Sequence, residues 1–172
     1  MKPIIALAGR KHSGKSMVAR YLETKGYHRA SFAAPIKSML RTLGVPFDAL
    51  YGTDEQKNEI IPLFGKSGRH MMQSLGSEWG RDLVGQDTWV KLFFSEERQY
   101  PCALEDARFP NEIEAIRQHK GTVIGIRRPN SAAVTDHHIS EVGAYDLDVD
   151  HWIANDGTPE ELFAKVDTII HA

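Results

Sequence analysis

Apolar runs alternate with amphipathic stretches along this chain. The run Ile4–Ala8 predicts a buried strand, and apolar residues at three- and four-residue intervals then predict an amphipathic helix that ends at Gly26. Further strands are predicted at 28–32, 102–106, 122–126 and 148–154, and further helices at 35–43, 68–83, 87–94, 110–119 and 158–170. Strands that alternate with helices indicate an α/β fold with a five-stranded, mostly parallel sheet covered on both faces.

One part of the chain departs from this alternation. Residues 46–68 are polar and rich in glycine and proline, with one short predicted helix near 54–61. The helix predicted over 68–83 contains Gly76 and Gly80, either of which can break it. With 172 residues, of which 41% are hydrophobic, the chain is long enough for one domain with a core. We therefore expect a single domain over residues 1–172, with a helical insertion at about 35–98.

Composition narrows the classes of ligand. The 21 Lys and Arg residues are balanced by 23 Asp and Glu residues, and the formal net charge of −2 argues against a broad surface for a nucleic-acid polymer. A small phosphorylated ligand fits this balance better. Cys102 is the single cysteine, so no internal disulfide can form, and no window approaches 18 apolar residues. We expect a cytoplasmic protein with no membrane partner.

A phosphate-binding pattern follows the first predicted strand. Residues 9–16 fit G-x-x-x-x-G-K-[ST] and lie between that strand and the first helix, where backbone N–H groups can surround a triphosphate. Lys15 would reach the β- and γ-phosphates of ATP, and Ser16 would hold Mg²⁺. The remaining ATP-binding candidates of this loop are Lys11, His12, Ser13 and Gly14. The alternative is an ordinary glycine turn with a solvated lysine.

Charged residues follow the strands and begin the helices at several points. Phosphoryl transfer needs positive charge around the migrating group. An open parallel sheet binds its ligand beyond the carboxyl ends of the strands, so charged residues at those ends are candidates. Asp106 ends the third predicted strand and could position Mg²⁺ directly or through water, with a capping aspartate as the alternative. The candidate cations are Arg10, Lys11, Lys37, Arg69, Arg81, Arg108, Arg127 and Arg128, and Asn155 follows the fifth strand. Each cation taken singly is more often a solvated surface charge.

Three further groupings suggest binding roles. Arg69, Gln73 and Gly76 share one face of a predicted helix, which suits recognition of a phosphate together with a base edge. Trp79 and Trp89 could stack on a base, with ordinary packing as the alternative. His138 and Glu141 lie three positions apart, and without further ligands at suitable spacing they do not predict a metal site.

Several segments occur together in a recognisable order. They are residues 32–37, 68–76, 87–90, Asp-x-Arg-Phe-Pro-Asn-Glu at 106–112, 127–129, His-x-Ser-Glu at 138–141, and 153–157. In that order and spacing the chain resembles the bacteriophage-type deoxynucleoside monophosphate kinases, a branch of the P-loop nucleoside and nucleotide kinases. The segments at 106–112 and 138–141 are the most particular to this branch.

The resemblance implies a P-loop kinase-like three-layer α/β/α fold and specific residue roles. Lys15, Arg108, Arg127 and Arg128 would be catalytic, a lid at about 127–146 would close over ATP, and Asn155 with Gly157 would border the adenine. The residues implied for the acceptor nucleotide are Arg10, Lys37, Arg69, Gln73, Trp79, Asp87, Trp89, Asp106, His138 and Glu141. A homodimer, and work in the host cytoplasm for a phage-encoded member, are also implied.

These observations lead to one functional hypothesis with two alternatives. The hypothesis is an ATP- and Mg²⁺-dependent transfer of the γ-phosphoryl group to the 5′-phosphate of a deoxynucleoside monophosphate (dNMP), giving the diphosphate and ADP. One alternative is a kinase of another small acceptor, such as dephospho-coenzyme A or a shikimate-like alcohol, with Asp106 recruited as a base. The other is a nucleotide-binding switch module. The accepted bases and the choice between deoxyribose and ribose stay open.

Overall fold

The computed structural model of the chain describes residues 3–129 and 147–171. The backbone divides into two compact units: a sheet unit made of Met1–Ser31 with Glu97–Ala172, and a helical unit made of Phe32–Glu96. No helix in the described ranges combines the length and apolar character needed to cross a membrane. In chain order the elements are β1 (Ile4–Ala8), α1 (Lys15–Thr24), β2 (His28–Ala30), α2 (Ala34–Thr42), α3 (Phe47–Tyr51), α4 (Asp54–Asn58), β3 (Ile60–Ile61), β4 (Lys66–Ser67), α5 (Gly68–Gln73), a π-helical segment (Ser74–Val84), α6 (Thr88–Ser95), β5 (Cys102–Leu104), α7 (Pro110–Gln118), β6 (Thr122–Arg127), β7 (His151–Ala154) and α8 (Pro159–Ile170).

The sheet unit contains a five-stranded sheet with the strand order β2-β5-β1-β6-β7. All four neighbouring pairs are parallel, so the predicted sheet is confirmed. On one face, Val18 and Leu22 of α1 and Leu162 of α8 pack with Ile5 of β1 in the buried core. Helix α7 packs against β6, and its buried Ile116 lies outside that core. A Cβ atom at Gly121 would contact both Ile116 and Ile4 of β1, and Ile4 points to the face opposite Ile5 because side chains alternate along a strand. The sheet therefore has helices on both faces, as the α/β/α prediction requires.

Three strands are shorter than predicted, and at two of the changed ends charged side chains form ion pairs. The third strand of the sequence prediction ends at Leu104, and the half-buried Glu105 that follows forms an ion pair with Arg29 of β2 at 2.8 Å. The last strand begins at His151 instead of residue 148. Asp148 and Asp150 precede it and instead bind Arg117, each at 2.9 Å. The second strand likewise ends early, at residue 30.

Helices α1 and α8 are joined by one carboxylate. The Tyr21 hydroxyl donates a hydrogen bond to Asp167 at 2.5 Å, and the Lys25 ammonium lies 3.2 Å from the same carboxylate. The Tyr21 ring also stacks on Phe163, with the ring centroids 4.2 Å apart. The hydrogen bond from Tyr21, followed by that from Lys25, lowers the pKa of Asp167 below its ordinary value. These contacts bring together residues from opposite ends of the sequence.

The helical unit has more regular structure than predicted. Residues 46–68 hold two short helices, α3 and α4, and the antiparallel β3–β4 hairpin, where the sequence predicts a single helix near 54–61. Thr53 begins α4 through a reciprocal capping arrangement with Gln56. Gly65 closes the hairpin turn at φ 61°, a conformation that glycine adopts readily. The sequence prediction missed these elements because the high glycine and proline content of the segment indicated irregular structure more strongly than such short local signals indicated helices or strands.

The helix predicted over 68–83 changes type instead of breaking. It is α-helical to Gln73 and continues as a π-helix to Val84. A Cβ atom at Gly80 would lie 2.3 Å from the indole of Trp89, and one at Gly76 would lie 3.1 Å from Ile36. The Trp89 indole N–H donates to the Gly76 carbonyl at 2.7 Å. Both glycines therefore serve close packing rather than helix termination.

We expect Asp167→Asn to lower the midpoint of thermal unfolding at neutral pH. The amide can still accept the hydrogen bond from Tyr21, but it cannot pair with the charge of Lys25. Because folding lowers the pKa of Asp167, the carboxylate contributes fully above its ordinary value of 3.8, and the contribution is lost as the pH falls through the lower folded value. The pKa of Lys25 is raised, chiefly by the Tyr21 hydrogen bond, so its contribution is full below 10.5 and is lost as the pH rises through the folded value.

Scanning calorimetry of wild type and variant across this range measures the effect. The difference in melting midpoint should be constant through the neutral range and should shrink in strong acid. A difference that stays the same in strong acid would contradict the assignment of the effect to the charged carboxylate.

Candidate active site

The loop after β1 is held in a conformation that needs its two glycines. Gly9 has φ 134° and Gly14 has φ 114°, and the intervening His12 has φ 62°. A Cβ atom at position 9 would lie 2.4 Å from the carbonyl oxygen of Ile126, so the loop passes directly over β6. His12 adopts a left-handed conformation that costs a non-glycine residue roughly 1–2 kcal/mol. Nothing in the sequence pattern marked His12 for this role.

The side chain of Lys15 closes the loop. Lys15 is the first residue of α1, and its ammonium donates to the carbonyls of Gly9 at 2.6 Å and Arg10 at 2.7 Å. Ser13 is 1% exposed, and its backbone N–H donates to the carbonyl of Arg10 at 3.2 Å. Ser16 lies exposed in the first turn of the helix. The predicted order of strand, loop and helix is present, with the positive end of α1 at the loop.

Asn155, which follows the edge strand β7, also holds the loop. It lies directly after β7 and is 8% exposed, and its carboxamide donates to the Ser13 carbonyl at 2.9 Å. Its backbone N–H donates to the carbonyl of Arg127 at 2.7 Å. The Nδ2 atom would lie 2.6 Å from a Cβ atom at Gly14, so the second motif glycine makes room for this amide. The sequence placed Asn155 near the ligand, but this contact with the loop was missed.

The segment after Asn155 is fixed by one lysine. Lys165 of α8 donates to the carbonyl of Ala154 at 2.7 Å and to the carboxylate of Asp156 at 2.8 Å. The hydrogen bond from Lys165 lowers the pKa of Asp156. Gly157 follows, close to the carboxylate of Glu161, which accepts from the Thr158 N–H at 3.0 Å as α8 begins. The structure thus defines the conformation of residues 154–158.

The segment after β5 carries Asp106 and Arg108. The Asp106 carboxylate accepts a hydrogen bond from the Ser31 hydroxyl at 2.7 Å. Glu112 is 3% exposed and accepts from the backbone N–H groups of Arg108 at 2.7 Å and Phe109 at 3.0 Å. The glutamate of the Asp-x-Arg-Phe-Pro-Asn-Glu segment therefore holds the backbone beside the two candidate site residues, a role that the sequence comparison alone does not reveal.

The two arginines at the end of β6 are exposed. The Arg127 guanidinium lies over the ring of Trp152, with its central carbon 3.9 Å from the ring centroid. Arg128 follows directly after the strand. Of the lid predicted at about 127–146, only residues 127–129 are described, and His138 and Glu141 lie outside the described residues.

In the helical unit, Arg69 is oriented by two side chains of α4. Its guanidinium donates to the Asp54 carboxylate at 2.7 Å and to the Asn58 side-chain oxygen at 2.9 Å. Gln73 lies one helical turn away in α5, as predicted. Gly76 belongs to the π-helical segment, so the face predicted from α-helical spacing does not extend to it.

The other candidates of the helical unit differ in exposure. The Lys37 ammonium lies 4.6 Å from the centroid of the Tyr51 ring. Trp79 is 42% exposed, whereas Trp89 is 4% exposed, so the two tryptophans have different surroundings. Asp87 occupies the N-cap position of α6 without a side-chain capping hydrogen bond. The candidate cation Arg81 is 6% exposed and donates to the Gln86 carbonyl at 3.1 Å.

The oxygen-bearing side chains at the candidate site suit a Mg²⁺ ion that also binds phosphates and water, rather than a metal ion bound by protein side chains alone. Within residues 3–129 and 147–171, no three His, Cys, Asp or Glu side chains gather at metal-binding distance. Mg²⁺ commonly binds through one or two protein oxygens together with phosphates and water. Ser16 offers a hydroxyl and Asp106 a carboxylate, so the residues present fit this mode of binding.

Comparison with known proteins gives a consistent result. A family model described as deoxynucleotide monophosphate kinase matches residues 54–166. The chain is 30% identical to a protein of Acanthamoeba polyphaga mimivirus that bears the name of such a kinase, over 95% of this chain and 93% of the relative. It is 34% identical to the deoxynucleotide monophosphate kinase of Escherichia phage RB69, over 73% of this chain and 51% of the relative, so it spans about half the length of that relative.

A solved structure shares the fold. TT1252 from Thermus thermophilus aligns with a TM-score of 0.56 and 15% identity, over 99% of this chain and 97% of that one. Similarity at this level of identity extends to the arrangement of strands and helices. It carries no information on substrate.

We expect Gly14→Ala to weaken nucleotide binding severely, because the added Cβ both strains the backbone at φ 114° and displaces the Asn155 amide from the loop. Gly26→Ala is the matched control: Gly26 follows the same helix at φ 86°, but a Cβ there meets nothing within 4 Å. Isothermal titration with ATP and urea unfolding of both variants separate the two effects. Wild-type affinity in Gly14→Ala would show that the loop does not bind the triphosphate.

Proposed function

Because this chain belongs to the deoxynucleotide monophosphate kinase family, we propose that it transfers the γ-phosphoryl group of ATP to the 5′-phosphate of a dNMP. The observation that carries the proposal is the glycine loop folded around Lys15 at the start of α1. Members of this family are ATP-dependent nucleotide kinases with small-molecule substrates. The assignment of individual residues to ATP and to the dNMP is part of our proposal.

The sheet unit would bind ATP. The Lys15 ammonium, which now donates to two loop carbonyls, would exchange them for oxygens of the β- and γ-phosphates. The backbone N–H groups of the loop would surround the phosphates, with Lys11 and His12 beside them. Asn155 supports this role because it holds the Ser13 carbonyl, and the segment up to Gly157 would border the adenine.

A divalent metal generally accompanies ATP in this kind of kinase, and we propose Mg²⁺. The hydroxyl of Ser16 and the carboxylate of Asp106 would hold it, where it would supply positive charge to the phosphates. The Ser31 hydroxyl restricts the orientation of the Asp106 carboxylate through its hydrogen bond. Arg108, Arg127 and Arg128 would add positive charge around the transferred group.

The helical unit would bind the acceptor nucleotide. Arg69 suits its phosphate, because Asp54 and Asn58 restrict the guanidinium to one orientation. Gln73, one turn away, could read a base edge through its amide. Lys37, Asp87 and the exposed Trp79 are proposed alongside them. The resemblance also implies Arg10, Asp106, His138 and Glu141 for the acceptor, and these four stay predictions. The buried Trp89 would contribute by holding the Gly76 backbone.

This reaction needs alignment and positive charge rather than a catalytic base. The acceptor is a phosphate oxygen that is already negative at neutral pH, so no proton must be removed before it attacks the γ-phosphorus. The bond from the γ-phosphorus to the bridging oxygen of ADP breaks as the bond to the acceptor oxygen forms. An alcohol acceptor would instead require a base. A homodimer and a cytoplasmic location stay predictions.

We expect the purified protein to release ADP from ATP with at least one of dAMP, dCMP, dGMP and dTMP, and to form the matching diphosphate. Ribose counterparts, shikimate and dephospho-coenzyme A complete the acceptor panel, read by coupled ADP detection and by chromatography of the products. Activity confined to an alcohol acceptor, or slow hydrolysis unaffected by every monophosphate, would overturn the proposal.

Lys15→Ala serves as the active-site control in this assay. Turnover should fall by about a hundredfold or more, the scale expected when a charge contact in the transition state is lost. Circular dichroism should show an unchanged fold, since the Lys15 ammonium binds carbonyls of the loop and Lys15 is not part of the buried core. Near-normal turnover would show that the measured activity does not come from this loop.

We expect Arg69→Ala to raise the KM for the dNMP far more than the KM for ATP. Of the two substrates, the guanidinium would contact only the dNMP, through its phosphate. Arg41→Ala is a suitable control in the same unit, since Arg41 donates to the backbone carbonyl of Val45 near the end of α2. Steady-state kinetics with each substrate varied in turn measure the split. Equal effects on both KM values would remove Arg69 from the acceptor site.

A further inference from the structure

Arg127 is the last residue of β6, and its side chain is exposed. The predicted lid begins at this residue. An exposed arginine samples many side-chain conformations. A contact with a neighbouring side chain must restrict these conformations if the guanidinium is to keep one orientation toward a ligand. The Arg127 guanidinium lies over the ring of Trp152, with the central guanidinium carbon 3.9 Å from the ring centroid, and this contact can restrict it.

The ring of Trp152 owes its position to a glycine. Trp152 of β7 lies opposite Gly125 of β6 in the parallel register, and a Cβ atom on Gly125 would lie 2.5 Å from the indole ring. The indole therefore lies flat over the backbone of β6. Because residues 125 and 127 point to the same face of the strand, the ring that covers Gly125 also reaches the side chain of Arg127.

The backbone of Arg127 is fixed separately. Its carbonyl accepts from the Asn155 N–H at 2.7 Å, and Arg127 pairs with Ala154 in the strand register. Loss of the indole would thus leave the backbone of β6 in place and release mainly the guanidinium. This separation makes the side-chain effect measurable.

We propose that Trp152 is a positioning residue that holds the Arg127 guanidinium by cation–π contact in the orientation in which it acts on ATP. The inference rests on the proposed function, in which Arg127 contacts the phosphates of ATP. Trp152 touches neither nucleotide and acts through Arg127. Its effect belongs to the ATP side of the reaction, and the dNMP side is unaffected.

A double-mutant cycle tests the proposal. Trp152→Leu should reduce kcat/KM for ATP about two- to fivefold, the range of an exposed cation–π contact, and leave the KM for the dNMP unchanged. Trp152→Phe keeps an aromatic face and should recover most of the loss. In the Arg127→Ala background, Trp152→Leu should have no further effect on kcat/KM or on the Kd for ATP measured by calorimetry. Thermal unfolding of each variant checks that it folds.

Each outcome separates this inference from the proposed function. If Trp152→Leu weakens ATP use equally in the presence and absence of Arg127, the tryptophan acts independently and the inference is overturned. A silent Arg127→Ala in an enzyme that still phosphorylates a dNMP also overturns it, while the kinase activity stands. If wild type phosphorylates no monophosphate, the proposed function fails, and the cycle on the Kd for ATP still decides whether Trp152 and Arg127 are coupled.

Discussion

The glycine loop after β1 depends on one buried hydrogen bond, from the Asn155 carboxamide to the Ser13 carbonyl. It joins the loop after β1 to the residue directly after β7, while the backbone of Asn155 is joined to the end of β6. In a parallel sheet the carboxyl ends of neighbouring strands lie along one edge, so these segments meet there although they are far apart in sequence. Gly14 is required because any side chain would occupy the space of this amide.

The same principle recurs around the other candidate site residues. Glu112 holds the backbone that carries Arg108, Ser31 orients Asp106, and Asp54 orients Arg69. Trp152 lies against Arg127 in a similar way. Catalysis by alignment depends on such supporting contacts, because a group that reaches its place only part of the time contributes little to the transition state.

Two lines of support for the kinase family come from different parts of the chain. The family model matches residues 54–166, which include the Asp-x-Arg-Phe-Pro-Asn-Glu segment but begin well after the phosphate loop. The loop is supported by its own pattern and by its conformation. The five-stranded parallel sheet confirms the predicted α/β fold, and TT1252 shares this arrangement of strands and helices. The proposed lid and the acceptor residues stay predictions.

The sequence alone determined the features that depend on near neighbours. The phosphate loop, the alternation of strands and helices, and the pair Arg69 and Gln73 follow from short-range patterns, and the structure reproduces them. The ion pair of Glu105 with Arg29 joins two strands that are far apart in the sequence, so no short-range pattern predicts it. The two helices and the hairpin of residues 46–68 were missed because glycine and proline are frequent in that segment.

Only the tertiary structure decided the contacts that support the site. Asn155 and Ser13 are 142 positions apart, and Trp152 meets Arg127 only because β7 pairs with β6 in one particular register. The contact between Gly76, in the π-helical segment, and the buried Trp89 likewise joins residues of two different helices. A single sequence records which side chains are available, whereas strand order and register determine which of them meet.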